Sequence, residues 1–113
     1  MSHLDYSQIK SILTSWRGKG LVRSDSLIYV PDEFGNFTAD WSFEPHECGY
    51  YHCEPVLGGS GQTVQQVLDF LEDSKPQALM VWTTQPEDGY LVCADRLRTW
   101  GGKVYLEREI RND

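Results

Sequence analysis

From Ser24 to Ser74 the sequence contains no lysine and no arginine. The same stretch holds ten acids, Asp25, Asp32, Glu33, Asp40, Glu44, Glu47, Glu54, Asp69, Glu72 and Asp73, so it carries −10. The flanks hold all ten bases and the other seven acids, and carry +3. The resulting net charge of −7 disfavours attachment to nucleic acid, whose phosphates exchange their counterions for Lys and Arg. No direct nucleic-acid contact is expected. Long apolar runs are also missing; none approaches the roughly 18 residues of a spanning helix, so no membrane insertion is expected. Cysteine is scarce. Cys48, Cys53 and Cys93 are an odd set for a disulfide framework, and a chain of 113 residues can bury a core without one, so they are expected as reduced thiols. Met1-Ser2-His3-Leu4-Asp5 lacks a basic segment followed by an apolar one, which makes the cytoplasm the expected location. No repeat or low-complexity linker interrupts the chain, and residues 1–113 are expected to form a single domain.

The elements follow from hydrophobic periodicity. Ile9, Ile12, Leu13 and Trp16 share one helical face, predicting an amphipathic helix over 4–16, capped by Ser2 or Asp5 and closed by Gly18 and Gly20. Leu27–Val30 reads as a strand and Pro31–Asn36 as a turn. Phe37, Ala39, Trp41 and Phe43 form the apolar side of a second strand whose Asp40 points to solvent. Glu44-Pro45 is expected to end that strand, and Gly49–Leu57 to form a third, irregular one closed by Pro55 and Gly58-Gly59.

Val64, Val67, Leu68 and Leu71 then stripe a second helix, capped by Ser60 or Gly61, running to Asp73 and stopped before Pro76. The apolar run Ala78–Thr84 predicts a strand covered on both sides or at the sheet centre, turned at Pro86–Gly89 into Tyr90–Ala94 as a central hairpin. Asp95–Trp100 reads as a helical turn; Val104, Leu106 and Ile110 read as a last strand in which Arg108 breaks the alternation. The order is close to αβββαβββ. This predicts an α+β fold with a mostly antiparallel sheet of five to six strands and two helices packed on one face.

Ligand-type side chains are densest at His46, Cys48, His52 and Cys53, the residues that would hold a metal if one bound. The spacing argues against a site. Zinc sites draw two ligands from a tight knuckle, whereas adjacent His52 and Cys53 point to opposite faces of a strand. His46-Glu47 begins like a zinc deaminase signature, but no P-C-x-x-C follows. Gly58-Gly59-Ser60-Gly61 precedes a helix, yet a phosphate loop needs a lysine that is absent here; a flexible capping loop is the simpler account. No spacing among His3, His46, His52, Cys48, Cys53 and Cys93 pairs a nucleophile with its base, and Cys93 reads as a small buried hydrophobe. Neither a cofactor nor catalysis is expected.

Fourteen aromatic residues exceed what a small core demands. Trp41 and Trp82 fall in strands and are expected in the core; Phe34, Tyr50, Tyr51 and Trp100 fall in or beside loops. Such rings either cover sheet edges or, set among carboxylates, anchor a protein partner. The acidic middle is likewise either a solvated surface or a face that steers a basic partner. In size, charge and aromatic content the chain resembles the immunity proteins of bacterial toxin systems. That resemblance implies an acidic cytoplasmic inhibitor that occludes the active site of a basic, nuclease-type toxin. The toxin's Lys and Arg would meet Asp32, Glu33, Asp40, Glu44, Glu47 and Glu54, with Phe34, Tyr50 and Tyr51 as anchors. Two alternatives stand beside it. One is a phage-type inhibitor of a defence enzyme that mimics nucleic acid; the other is a small metal-binding protein or enzyme built on the His46 to Cys53 cluster.

Overall fold

A computed structural model of the protein describes residues 3–83 and 90–109. Helix α1 (Tyr6–Gly18) starts at Asp5, whose carboxylate accepts the Gln8 N–H at 2.9 Å while the Gln8 side chain accepts the Asp5 N–H. This reciprocal box satisfies two of the donors that a helix start leaves open. Helix α2 (Val64–Ser74) is closed the same way by Thr63 and Gln66, so the cap is Thr63 rather than Ser60 or Gly61. It ends at Lys75, which turns left-handed at φ 44° one residue before Pro76. Neither described helix is long and apolar enough to cross a membrane.

The strands, in chain order, are β1 (Leu27–Pro31), β2 (Phe37–Thr38), β3 (Trp41–Glu47), β4 (Tyr50–Pro55), β5 (Gln62–Thr63), β6 (Ala78–Trp82), β7 (Leu91–Cys93), β8 (Arg96–Trp100) and β9 (Lys103–Glu107). They form two mixed sheets. One has the order β2-β1-β9-β8 with β5 added on β1; the other has the order β3-β4-β6-β7. The pairs β1–β9 and β4–β6 are parallel and the rest antiparallel. The fold is α+β with its helices against sheet, as expected, but its strands are shorter, more numerous and divided between two sheets.

Each departure from the expected elements has a local cause. The run Phe37–Phe43 is not one strand: Phe37 and Thr38 pair with β1, Ala39 and Asp40 cross over, and Trp41 begins pairing with β4. Pro45 does not end β3. It sits exposed on an edge strand, where its missing N–H costs no ladder bond, and a bulge between Pro45 and Glu47 absorbs the irregularity. Asp95–Trp100 is not a helical turn, because Gly101 and Gly102, at φ 59° and 78°, make the two-residue turn that returns β8 onto β9. Strand β6 is interior in its sheet, whereas its hairpin partner β7 is an edge. The expected turn at Pro86–Gly89 and the position of Ile110 lie outside the described residues.

One core joins all these layers. Ile9 and Leu13 of α1, Val64, Val67, Leu68 and Leu71 of α2, Ile28, Val30, Val104 and Leu106 of the first sheet, and Leu79 and Val81 of the second belong to a single buried cluster. At its rim the rings of Phe43 and Phe70 stack at 3.7 Å, with Trp41 and Tyr51 edge-on to the pair. Outward faces remain on both sheets. On the second sheet that face carries Glu44, His52, Glu54, Met80 and Trp82, by strand alternation and register.

Candidate partner-binding groove

The turn between β1 and β2 is built by Asp32. Its Oδ1 accepts the N–H groups of both Phe34 and Asn36 at 2.9 Å, and Gly35 supplies the positive φ of 84° that closes the turn. With Asp32 so engaged, Glu33 is left exposed and Phe34 stands 78% exposed. Opposite this turn, β4 ends at Glu54 and Pro55 and runs into Val56 and Leu57. The Val56 N–H is held by the Asp40 carbonyl at 3.0 Å, and Leu57 is fully exposed. Trp82, at the end of β6, fills the base between them.

Between these segments lies a groove of about 350 Å³. Its walls are apolar at Phe34, Pro55, Val56, Leu57 and Trp82. Three carboxylates, Asp32, Glu33 and Glu54, also line it, and the hydroxyl of Thr38 completes it. The groove lies beyond the carboxyl ends of the parallel strands β4 and β6, which helix α2 connects. Such a lining suits a cationic side chain. The aliphatic stem of Lys or Arg packs on apolar walls while its charged head meets carboxylates and a ring face.

Behind Glu54 is a second polar pair. His52 is 8% exposed; its Nδ1–H donates to Glu54 Oε2 at 2.7 Å, and its buried Nε2 has no partner among the described residues. Burial pushes this imidazole below the ordinary range, His46 adds to the effect, and Glu54 and Glu44 oppose it. His52 is therefore neutral and holds the Glu54 carboxylate in place. Its ring meets Trp82 edge-on at 5.7 Å, which links the pair to the groove base.

The structure thus gathers four residues singled out in the sequence, Asp32, Glu33, Phe34 and Glu54, although some twenty positions separate the first three from the last. The others lie elsewhere. Asp40 is half-buried on the β2–β3 link and serves the groove only through its backbone carbonyl. Glu44 and Glu47 are exposed along β3, where Glu44 accepts the Ser42 hydroxyl at 3.1 Å. Tyr50 is half-buried with its ring 6.5 Å from that of His3. Tyr51 is half-buried, its ring edge-on to Phe70 at the core rim, because alternation turns it inward.

The four candidate metal ligands are split as strand alternation requires. His46 and Cys48 are exposed at the β3–β4 turn, His52 faces outward, and Cys53 points into the core. Among the described residues no three His, Cys, Asp or Glu side chains are placed to hold a metal ion. Cys93 is half-buried rather than fully buried. Sequence reasoning missed Val56, Leu57 and Trp82. The first two follow a strand end without any pattern, and Trp82 sits in an apolar run that hides which of its residues face outward. Comparisons with family models, curated proteins and solved structures find no match to this chain.

Proposed function

We propose that this chain is an inhibitory binding protein that captures a basic partner protein in the groove between the β1–β2 turn and the end of β4. The observation that supports the reading is the convergence of Asp32, Glu33 and Glu54 around the exposed Phe34 and Leu57. Carboxylates steer and orient a cationic partner, and exposed apolar side chains supply the area that slows its release. The finer reading is that of an immunity protein, which neutralises a nuclease-type bacterial toxin by occluding the Lys- and Arg-lined cleft where the toxin binds phosphates. A nucleic-acid mimic would instead string its carboxylates at phosphate intervals. Here they surround an apolar groove, which favours capture.

The test uses the full chain as bait in lysate of its native host, beside a Glu33→Lys, Phe34→Ala double variant. Both side chains are exposed, so the variant keeps the fold. The expected result is one basic protein retained by the native chain at low salt, released by high salt and lost with the double variant. Its nuclease activity should fall on adding the native chain. Equal retention by both baits, or retention of no basic protein, overturns the reading.

A further inference from the structure

The outward face of the five-stranded sheet carries one aromatic side chain from each of four strands. These are Phe37 on β2, Tyr29 on β1, Tyr105 on β9 and Trp100 on β8. Their register follows from the pairs Pro31↔Phe37, Tyr29↔Tyr105 and Trp100↔Lys103. The rings of Tyr29 and Tyr105 stack at 5.4 Å, and Phe37 stands edge-on to Tyr105 at 5.2 Å. Cations are laid over them: the Arg98 guanidinium is 4.2 Å from the Tyr105 centroid and 5.4 Å from that of Phe37, and Lys103 Nζ is 5.5 Å from that of Tyr29.

Beneath this layer Glu107, 8% exposed, accepts Arg98 Nε at 2.6 Å and lies 3.7 Å from Arg96 Nε. This buried carboxylate holds the Arg98 guanidinium and pairs with Arg96, while Lys103 lies at the other end of β9 on the same face. Trp100 is 77% exposed, and alternation along β8 sets it on the side of Arg98.

We propose that this face binds single-stranded nucleic acid. Bases stack on the exposed Trp100 indole and against the half-exposed Arg98 guanidinium, and Arg96 and Lys103 take the adjoining phosphates. The net charge of −7 makes general adhesion to polyanions unfavourable, so binding depends on stacking more than on charge. An acidic peptide offers carboxylates but no π-face, and would leave Trp100 and the Arg98 plane unused. For that reason the face fits a nucleic acid better than an acidic protein.

The test is fluorescence anisotropy of labelled single-stranded DNA and RNA of roughly 12 nucleotides, titrated with the full chain at about 50 and 200 mM salt. Saturable binding is expected, with a log–log salt slope of about −1.4 for two phosphate contacts. Trp100→Ala should weaken it about tenfold or more, and Lys103→Glu should weaken it at low salt. The DNA and RNA arms identify the sugar preferred. Four results would overturn the proposal: no binding at low salt, equal affinity for polyglutamate, equal affinity for duplex of the same sequence, or binding indifferent to Trp100→Ala. Self-association that Trp100→Ala abolishes would assign the face to a second copy of the chain and overturn it equally.

Discussion

The indole Nε1–H of Trp41, at the start of β3 in the second sheet, donates to the carbonyl of Ile28 on β1 in the first at 2.8 Å. Trp41 is 3% exposed, so this bond ties the sheets together where β2 hands the chain across. Trp41→Phe keeps most of the ring and removes the donor, leaving a buried carbonyl short of a partner. A loss of about 1–3 kcal/mol is expected. Urea denaturation measures it, and an unchanged midpoint would show that the tie between the sheets is carried by packing alone.

His52 makes stability depend on pH. Its imidazole is neutral in the folded chain below its ordinary value of 6.5, because burial disfavours the charged form. The unfolded chain therefore binds this proton first, and stability falls as pH drops through 6.5 toward the depressed folded value. The slope is bounded at about 1.4 kcal/mol per pH unit for one proton. Glu44, His46 and Glu54 are the charged neighbours that tune it. Urea melts between pH 7 and 5 should flatten in His52→Gln.

Two glycines with similar backbones should differ in tolerance. Gly58 and Gly61 have φ values of 73° and 86°, but a Cβ at Gly58 meets open space whereas one at Gly61 lies 2.9 Å from Leu27 Cδ2. Gly58→Ala should cost about 1 kcal/mol, the strain of a left-handed residue. Gly61→Ala adds the clash, for a total of roughly 2–4 kcal/mol. Equal melting temperatures for the two variants would refute the close approach of β1 to the capping loop.

The three thiols should react in a fixed order. Cys48 is exposed, Cys93 is half-buried with its thiol pushed up by burial, and Cys53 is fully buried with its thiol pushed up much further. A thiol-reactive chromophore should label Cys48 at once and Cys93 slowly, and Cys53 only as fast as the chain unfolds. Early labelling of Cys53 would mean that β4 opens locally.

Phe34 should be dispensable for folding. At 78% exposure, Phe34→Ala is expected to shift stability by no more than about 0.5 kcal/mol. A large drop in melting temperature would make the ring a structural cover for Trp82 and withdraw it as a partner anchor.

The legible part of the molecule is local in sequence. Val64, Val67, Leu68 and Leu71 announce α2, and all four are buried; Ile9 and Leu13 do the same for α1. Thr63-x-x-Gln66 also spells the capping box, though glycine and serine upstream draw the eye first. The opposite orientations of His52 and Cys53 needed only the two-residue period of a strand. The split at Ala39-Asp40 was not readable, because the alternation Phe37, Ala39, Trp41, Phe43 continues across it while the pairing partner changes.

By itself the sequence determined two amphipathic helices, the alternating strands, the α+β class and an acidic middle segment without bases. Each is a property of near neighbours, fixed by the helical or strand period and by composition. Tertiary structure alone decided that Asp32, Glu33, Phe34 and Glu54 share a groove with Trp82, that Tyr51 faces the core, and that four rings and three cations meet on one sheet face. Those outcomes depend on which strand pairs with which. Pairing is set by the burial of the whole core at once, not by any one segment's pattern.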